Sequence, residues 1–255
     1  MHPKTKMIEI ATTVNEKVSK GERTRERILA AALELFAEQG FEGATMRGIA
    51  ERAECSLGLA YRYFRTKEEM VLALYERLVE ELAAEAKLLP PGSLASRWAA
   101  IERADIARLQ PHRATLTALF GAGLTPGSPT QVLGEGAAHW RRRVHDVFRE
   151  VVAGASDLPK GPIRQYLPTL LYTGHLLLVL FWAQDPTPNQ KATTDLLAFG
   201  EEMLGRMWLA LRLPWAAQAA ARLGAILEPL FGAPPEPLPG QQEPGDLAKG
   251  KTLNP

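Results

Sequence analysis

Apolar residues recur at three- and four-residue intervals along most of this chain, and no stretch alternates with the period of two that a half-buried strand needs. Ile28, Leu29, Ala32, Leu35 and Phe36 share one side of a helix expected over Thr24–Gln39, and Gly40 suits the position just past its end. A long helix is expected from Thr66 to about Leu88, with Met70, Val71, Leu74, Leu78 and Leu82 inward. Further helices are expected over Ser93–Gln110, from Pro111 through Leu124, and over Gln131–Ala153, Ile163–Gln184, Lys191–Leu211 and Trp215–Phe231. Proline and glycine punctuate them at Leu89–Gly92, Thr125–Pro129, Leu158–Pro162, Asp185–Asn189 and Pro214. The pattern predicts an all-α fold, with a flexible arm over residues 1–21 and a disordered Pro/Gly-rich tail over 232–255.

The stretch Thr45–Lys67, TMRGIAERAECSLGLAYRYFRTK, reads as two short helices around a tight turn. The first covers Met46–Ala53 with Ile49, Ala50 and Ala53 on one face; the second covers Leu57–Phe64 with Ala60, Tyr63 and Phe64 inward. Thr45 and Ser56 stand where a side-chain oxygen can accept from the orphan N–H groups of a first turn. Gly58, Leu59 and Ala60 keep the second helix slim enough for a major groove about 12 Å wide, the helix-turn-helix layout.

These residues carry a resemblance. RERILAAALELFAEQGFEGATMRGIAERA, followed by Ser56, Gly58, Tyr61, Tyr63, Phe64 and Lys67 in the pattern S-x-G-x-x-Y-x-Y-F-x-x-K, resembles the DNA-binding domain of the tetracycline-repressor (TetR) family. The resemblance covers Glu22 to about Leu78, roughly a fifth of the chain. It implies a three-helix DNA-binding domain over residues 22–66 and a helical effector-binding and dimerisation domain over 67–231. One position departs from it: the turn usually carries glycine where this chain has Glu54, which costs about 1 kcal/mol if positive φ is required.

Composition narrows the picture without redirecting it. The formal net charge is +1, so affinity for nucleic acid must come from a local patch. Cys55 is the single cysteine, which fits a reducing, cytoplasmic setting; it is read as turn packing, with a redox role needing a depressed pKa and exposure. The N-terminus lacks the apolar run of a secretory signal. Gln165–Gln184 carries no formal charge and nears the length of a membrane span, but Pro168, Gly174 and His175 interrupt it. A helix buried in a core or a dimer interface is the expectation, with no membrane.

The expected DNA-facing set is Arg47, Ser56, Leu57, Leu59, Tyr61, Arg62, Tyr63 and Lys67. Arginine at 47 suits guanine O6/N7 or a phosphate, and Leu57 and Leu59 suit thymine methyls. Ser56 divides its hydroxyl between capping and phosphate. The resemblance implies backbone contact through the Tyr61 hydroxyl and phosphate binding by Lys67. Arg62 and Tyr63 suit phosphate or base, Tyr63 being equally readable as core. Arg23, Arg25 and Arg27 are either phosphate contacts or a solvated face.

For the remainder the resemblance implies a homodimer through the helices near 163–184 and 191–211, and an apolar or amphiphilic small-molecule effector. Trp98, Phe120, Trp140, Tyr172, His175 and Trp182 are the candidate pocket residues, each also readable as plain core. Arg141–Arg143 read as a solvated helix face. No HExxH, Glu-xx-His pair, GxSxG or glycine-rich phosphate loop occurs, so neither an enzyme nor a metal or cofactor is expected. The alternative reading is a helical interaction protein that keeps the motif without regulating transcription.

Overall fold

The computed structural model describes residues 19–123, 138–158, 161–211 and 213–233. They form ten α-helices in the order α1 (Lys20–Gly43), α2 (Met46–Arg52), α3 (Leu57–Tyr63), α4 (Lys67–Leu88), α5 (Leu94–Leu109), α6 (Arg113–Gly123), α7 (Ala138–Ala153), α8 (Ile163–Gln184), α9 (Lys191–Ala210) and α10 (Pro214–Phe231). Among the described residues there is no strand; a single parallel bridge joins Gly92 to Ala155.

Local chemistry explains the boundaries. Ser19, Thr45, Ser56, Thr66 and Ser93 each accept from the N–H three residues on, at 3.1–3.2 Å. Each such cap stabilises its helix by about 1 kcal/mol. α1 starts four residues before the expected Thr24 because Ser19 and Glu22 close a reciprocal capping box. At its other end Gly40, at φ 75°, breaks the helical run inside α1 and lets Phe41 fold back until its ring lies 5.3 Å from that of Phe36. Pro111 interrupts the helical run as expected: α5 ends at Leu109, and a 3₁₀ turn over Gln110–His112 leads directly into α6. The expected loop Thr125–Pro129, the start of the helix from Gln131, and the terminal segments 1–18 and 234–255 lie outside the described residues.

One apolar cluster gathers Ile28, Leu29, Leu35 and Phe36 of α1, Ile49 of α2, Phe64, and Met70, Val71 and Leu74 of α4. It continues into Leu109, Leu116, Val179 and Trp182, so the first four helices share a core with α5, α6 and α8. A second cluster is built from Val79 and Leu82 of α4, Ile101 of α5, Val147, Phe148 and Val151 of α7, and Leu167, Leu171 and Tyr172 of α8. α4 therefore runs from one core into the other.

The far end of α4 is fixed by Arg97. Its buried guanidinium donates to the carbonyls of Leu89, Pro90, Glu150 and Val151, joining the α4–α5 turn to the end of α7. The last carbonyls of a helix carry partial negative charge, which suits a cation there. Glycine is required at 154, since a Cβ would lie 2.4 Å from Arg97 Cζ.

α8 is long and apolar enough to cross a membrane by length and composition, but 56% of its most apolar window is buried inside this fold.

Candidate nucleic-acid interface and effector cavity

α3 is held by its inner side alone. Ala60 and Phe64 are fully buried, whereas Gly58, Tyr61 and Arg62 face solvent, with Tyr61 47% exposed. Leu57 and Leu59 are half-buried on the flanks. The turn Ala53–Ser56 brings α2 against α3, and Glu54 within it takes φ 49°, the left-handed region that the departure from glycine made costly. Arg47 stands exposed near the start of α2. Ser56 accepts from Leu59 N–H, which leaves its own O–H free to donate outward.

Two members of the expected set are more deeply engaged. Tyr63 is half-buried and packs on the head core. Its hydroxyl lies close beside Gly21, so it fastens α3 to the start of α1. Lys67 Nζ donates to Phe41 O at 2.6 Å and lies 4.6 Å from the centre of the Phe41 ring. Its ammonium therefore ties α4 to the last residues of α1, with a donor left over for a phosphate. Arg25, expected as a phosphate contact or a solvated residue, has its guanidinium 5.0 Å from the centre of the Phe64 ring, at the foot of α3.

The six expected pocket residues divide into two groups. A small cavity of about 10 Å³ lies between α4, α5, α7 and α8, walled by Tyr75, Leu78, Val79, Leu82, Asp105, Leu109, Val144, His175 and Val179. His175 is in its wall, and Tyr172 stacks on His175 with centroids 6.4 Å apart. Phe120 and Trp140 lie edge-on to Tyr75 at 6.0 and 6.3 Å. Trp98 and Trp182 lie elsewhere. Trp98 is buried beside Gly200 of α9 and lines the apolar groove between α8 and α9, and Trp182 belongs to the core cluster it shares with α1 and α4, where its Nε1 donates to Gln110.

The polar members of this region were not read from the sequence. Glu102, 0% exposed, accepts from His175 Nδ1 at 3.0 Å, and Asp105 Oδ2 lies 4.0 Å from the same nitrogen. Burial pushes the Asp105 carboxyl up to about 6, against the pull of His175. Burial lowers His175, but Glu102 and Asp105 outweigh it and hold the imidazole above its ordinary value. The signal was present: Trp98, Ile101, Glu102, Asp105 and Leu109 share the three-and-four spacing of an inward face.

On the opposite side of α8 an apolar groove of about 620 Å³ is open to solvent. Leu177, Phe181, Leu196 and Phe199 line it, and they are 65%, 42%, 37% and 58% exposed. Soluble single chains rarely leave large side chains grouped in this way.

Residues 28–74 match the family model of bacterial regulatory proteins of the tetR family. The chain is 40% identical over 68 residues to the transcriptional repressor KstR of Rhodococcus jostii, covering 27% of this chain and 32% of that one. It is 37% identical over 70 residues to the transcriptional regulator TcmR of Streptomyces glaucescens, covering 28% and 31%. The chain thus spans about a third of the length of the curated relatives it matches. Among solved structures, a tetR-family regulator from Streptomyces coelicolor superposes with a TM-score of 0.54 at 20% identity, over 89% of this chain and 95% of that one. A TetR regulator from Nitrosomonas europaea gives 0.53 at 22%, over 72% and 98%. At these identities the likeness is one of fold.

Proposed function

We propose, from the premise that the chain belongs to the TetR family through its N-terminal domain, that it is a dimeric, cytoplasmic repressor released from its operator by a small-molecule effector, and not an enzyme. The observation that carries this reading is α3: sunk by Ala60 and Phe64, it offers Gly58, Tyr61 and Arg62 outward on a helix of seven residues. Arg47, Leu57 and Leu59 read bases alongside Arg62, and Ser56, Tyr61 and Lys67 hold phosphates. Tyr63 supports α3 from behind. Phosphate contacts fix register and base contacts choose sequence. With few polar readers, much of the affinity falls as salt rises.

The exposed apolar side of α8 and α9 is the surface on which a second copy sits. Two α3 helices are then presented about 34–36 Å apart, one turn of duplex, to a near-palindromic operator. The effector enters beside α4 and favours a body conformation that moves this helix and changes the spacing; it shifts the balance only by its differential affinity for the two states. Tyr172, His175, Phe120 and Trp140 border that entry, whereas Trp98 backs the groove on α8 and α9 and Trp182 acts as packing.

Selection of bound sequences from random DNA by the full chain tests the reading. A near-palindromic site is expected, with Tyr61→Ala losing at least about tenfold in affinity at unchanged thermal stability. Lys67→Ala is expected to lose DNA affinity as well. Recovery of no preferred sequence would overturn the regulator reading in favour of a helical interaction protein.

A further inference from the structure

We propose that the small cavity beside α4 is built for a protonated amine on an apolar body, whose N–H groups are taken by Asp105 in its wall, with Glu102, held behind His175, as the second buried acid. This rests on the effector reading above and names the chemistry of the effector.

The cluster has two carboxylates and one imidazole, and all three are buried: Glu102 is 0%, His175 4% and Asp105 5% exposed. Glu102 Oε2 is satisfied by His175, but Glu102 Oε1 is buried with no hydrogen-bond partner. Asp105 lines the cavity and has His175, at 4.0 Å, as its near cationic neighbour. A carboxylate in an apolar setting needs both a countercharge and donors. His175 has one nitrogen on Glu102 and cannot satisfy both acids. What is missing is therefore a cation that also donates hydrogen bonds. A quaternary ammonium brings charge without N–H, and Glu102, Asp105 and His175 do not form a group able to hold a metal ion among the described residues. A protonated amine brings both.

The surrounding rings fit the same guest. Tyr75 lines the cavity with Phe120 and Trp140 edge-on to it, while Phe148 and Tyr172 lie 5.3 and 6.4 Å from His175. Of these rings Tyr75 is the one in the cavity wall, and an aromatic face attracts a cation within about 6 Å of its centre, more strongly when water is excluded. Leu78, Val79, Leu82, Leu109, Val144 and Val179 supply the apolar wall. At about 10 Å³ the cavity is at the threshold for one water molecule, so an amine enters only by parting α4 from α5 and α8. Binding and displacement of α4 are then one event.

Decylamine, decan-1-ol and decanoate, each below its micellar concentration, separate charge from chain. Their affinities for the full-length protein are measured by calorimetry, and their effect on the selected DNA by gel shift. Decylamine is expected to bind at least about tenfold tighter than the alcohol, with decanoate weakest, and to release the DNA. Asp105→Asn should cost the amine about tenfold or more while leaving the alcohol as tight or tighter, a reversal that a merely structural role for Asp105 would not give. Glu102→Gln, which keeps the size of the side chain, is the second variant. Equal binding of amine and alcohol, or unchanged amine affinity in both variants, would overturn the proposal. Amine binding in a chain that selects no DNA removes the regulator reading alone, and DNA selection with no preference for the amine removes this one alone.

Discussion

In the first three helices the side chains withdrawn from water are Ile28, Leu29, Leu35, Phe36, Ile49 and Ala60, hydrocarbon throughout; in the body Arg97, Glu102, Asp105, His145 and His175 go down with the leucines. The head is packed for one arrangement. Its polar groups stay outside, as in the exposed fork by which Arg52 reaches Glu34 and Glu38 at 3.1 and 2.7 Å. The body carries buried atoms whose needs are unmet, Glu102 Oε1 and His145 Nδ1 among them. An orphaned buried polar atom costs on the order of 1–3 kcal/mol. A region holding such atoms gains from rearranging around a guest, whereas an all-hydrocarbon core only loses. The proposed function, in which the head presents one surface and the body has two states, would use that division.

The contrast is broken most severely by Phe36→Ala, expected to cost about 3–5 kcal/mol in denaturant unfolding. Because Phe36 and Trp182 share one cluster, tryptophan fluorescence and far-UV circular dichroism should show a single coincident transition. Two separated transitions would show that head and body melt independently. Next, Leu177→Glu combined with Phe181→Glu removes two apolar side chains from the groove on α8, together worth roughly 3–4 kcal/mol of association. Sedimentation should find a monomer at micromolar concentration. A dimer that persists would move the subunit interface elsewhere.

A subtler test uses pH. Burial raises Asp105 from its ordinary value to about 6, against His175 and Arg108, which lower it, and with Glu102, which adds to the rise. The folded state therefore binds its proton more tightly than the unfolded one. That stabilisation is complete below about pH 4 and is lost as pH rises towards 6. His175, also raised, adds a contribution present below pH 6.5 and lost above. Measured against Asp105→Asn, the parent should lose on the order of 2 kcal/mol between pH 4 and 7. A parallel course for the two proteins would mean that Asp105 is not buried as described. The smallest effect is a gain in the head: Glu54→Gly should stabilise by about 0.5–1 kcal/mol, since φ 49° suits glycine and strains glutamate.

How much was legible follows the same division. Thr45, Ser56 and Thr66 announced their helices, because a cap is a local event between a hydroxyl and an amide three residues on. The same rule applied to Ser19 and Glu22 would have put the start of α1 at Lys20. The break at Pro162 and the apolar run that ends at Gln184 match the bounds of α8. Glu102 and Asp105 were missed because their burial is settled by His175, some seventy positions away. Lys67 was read for its helix end, but its bond to the Phe41 carbonyl depends on how α1 and α4 meet. Trp182 looks like a pocket residue by type, and its packing beside Gln110 places it in the core, while Trp98 lines the groove between α8 and α9 rather than the cavity beside α4.

The four carbonyls gathered by Arg97 have a mechanical corollary. They anchor the turn after Leu88, so the far end of α4 is a fulcrum. The cavity bears on the shaft at Leu78, Val79 and Leu82, roughly 10 to 16 Å from that fulcrum, and the shaft of 22 residues is about 33 Å long. A rigid rod so held magnifies movement two- to threefold, and a guest that pushes α4 aside by 1 Å swings Lys67, and α3 with it, by about 2–3 Å.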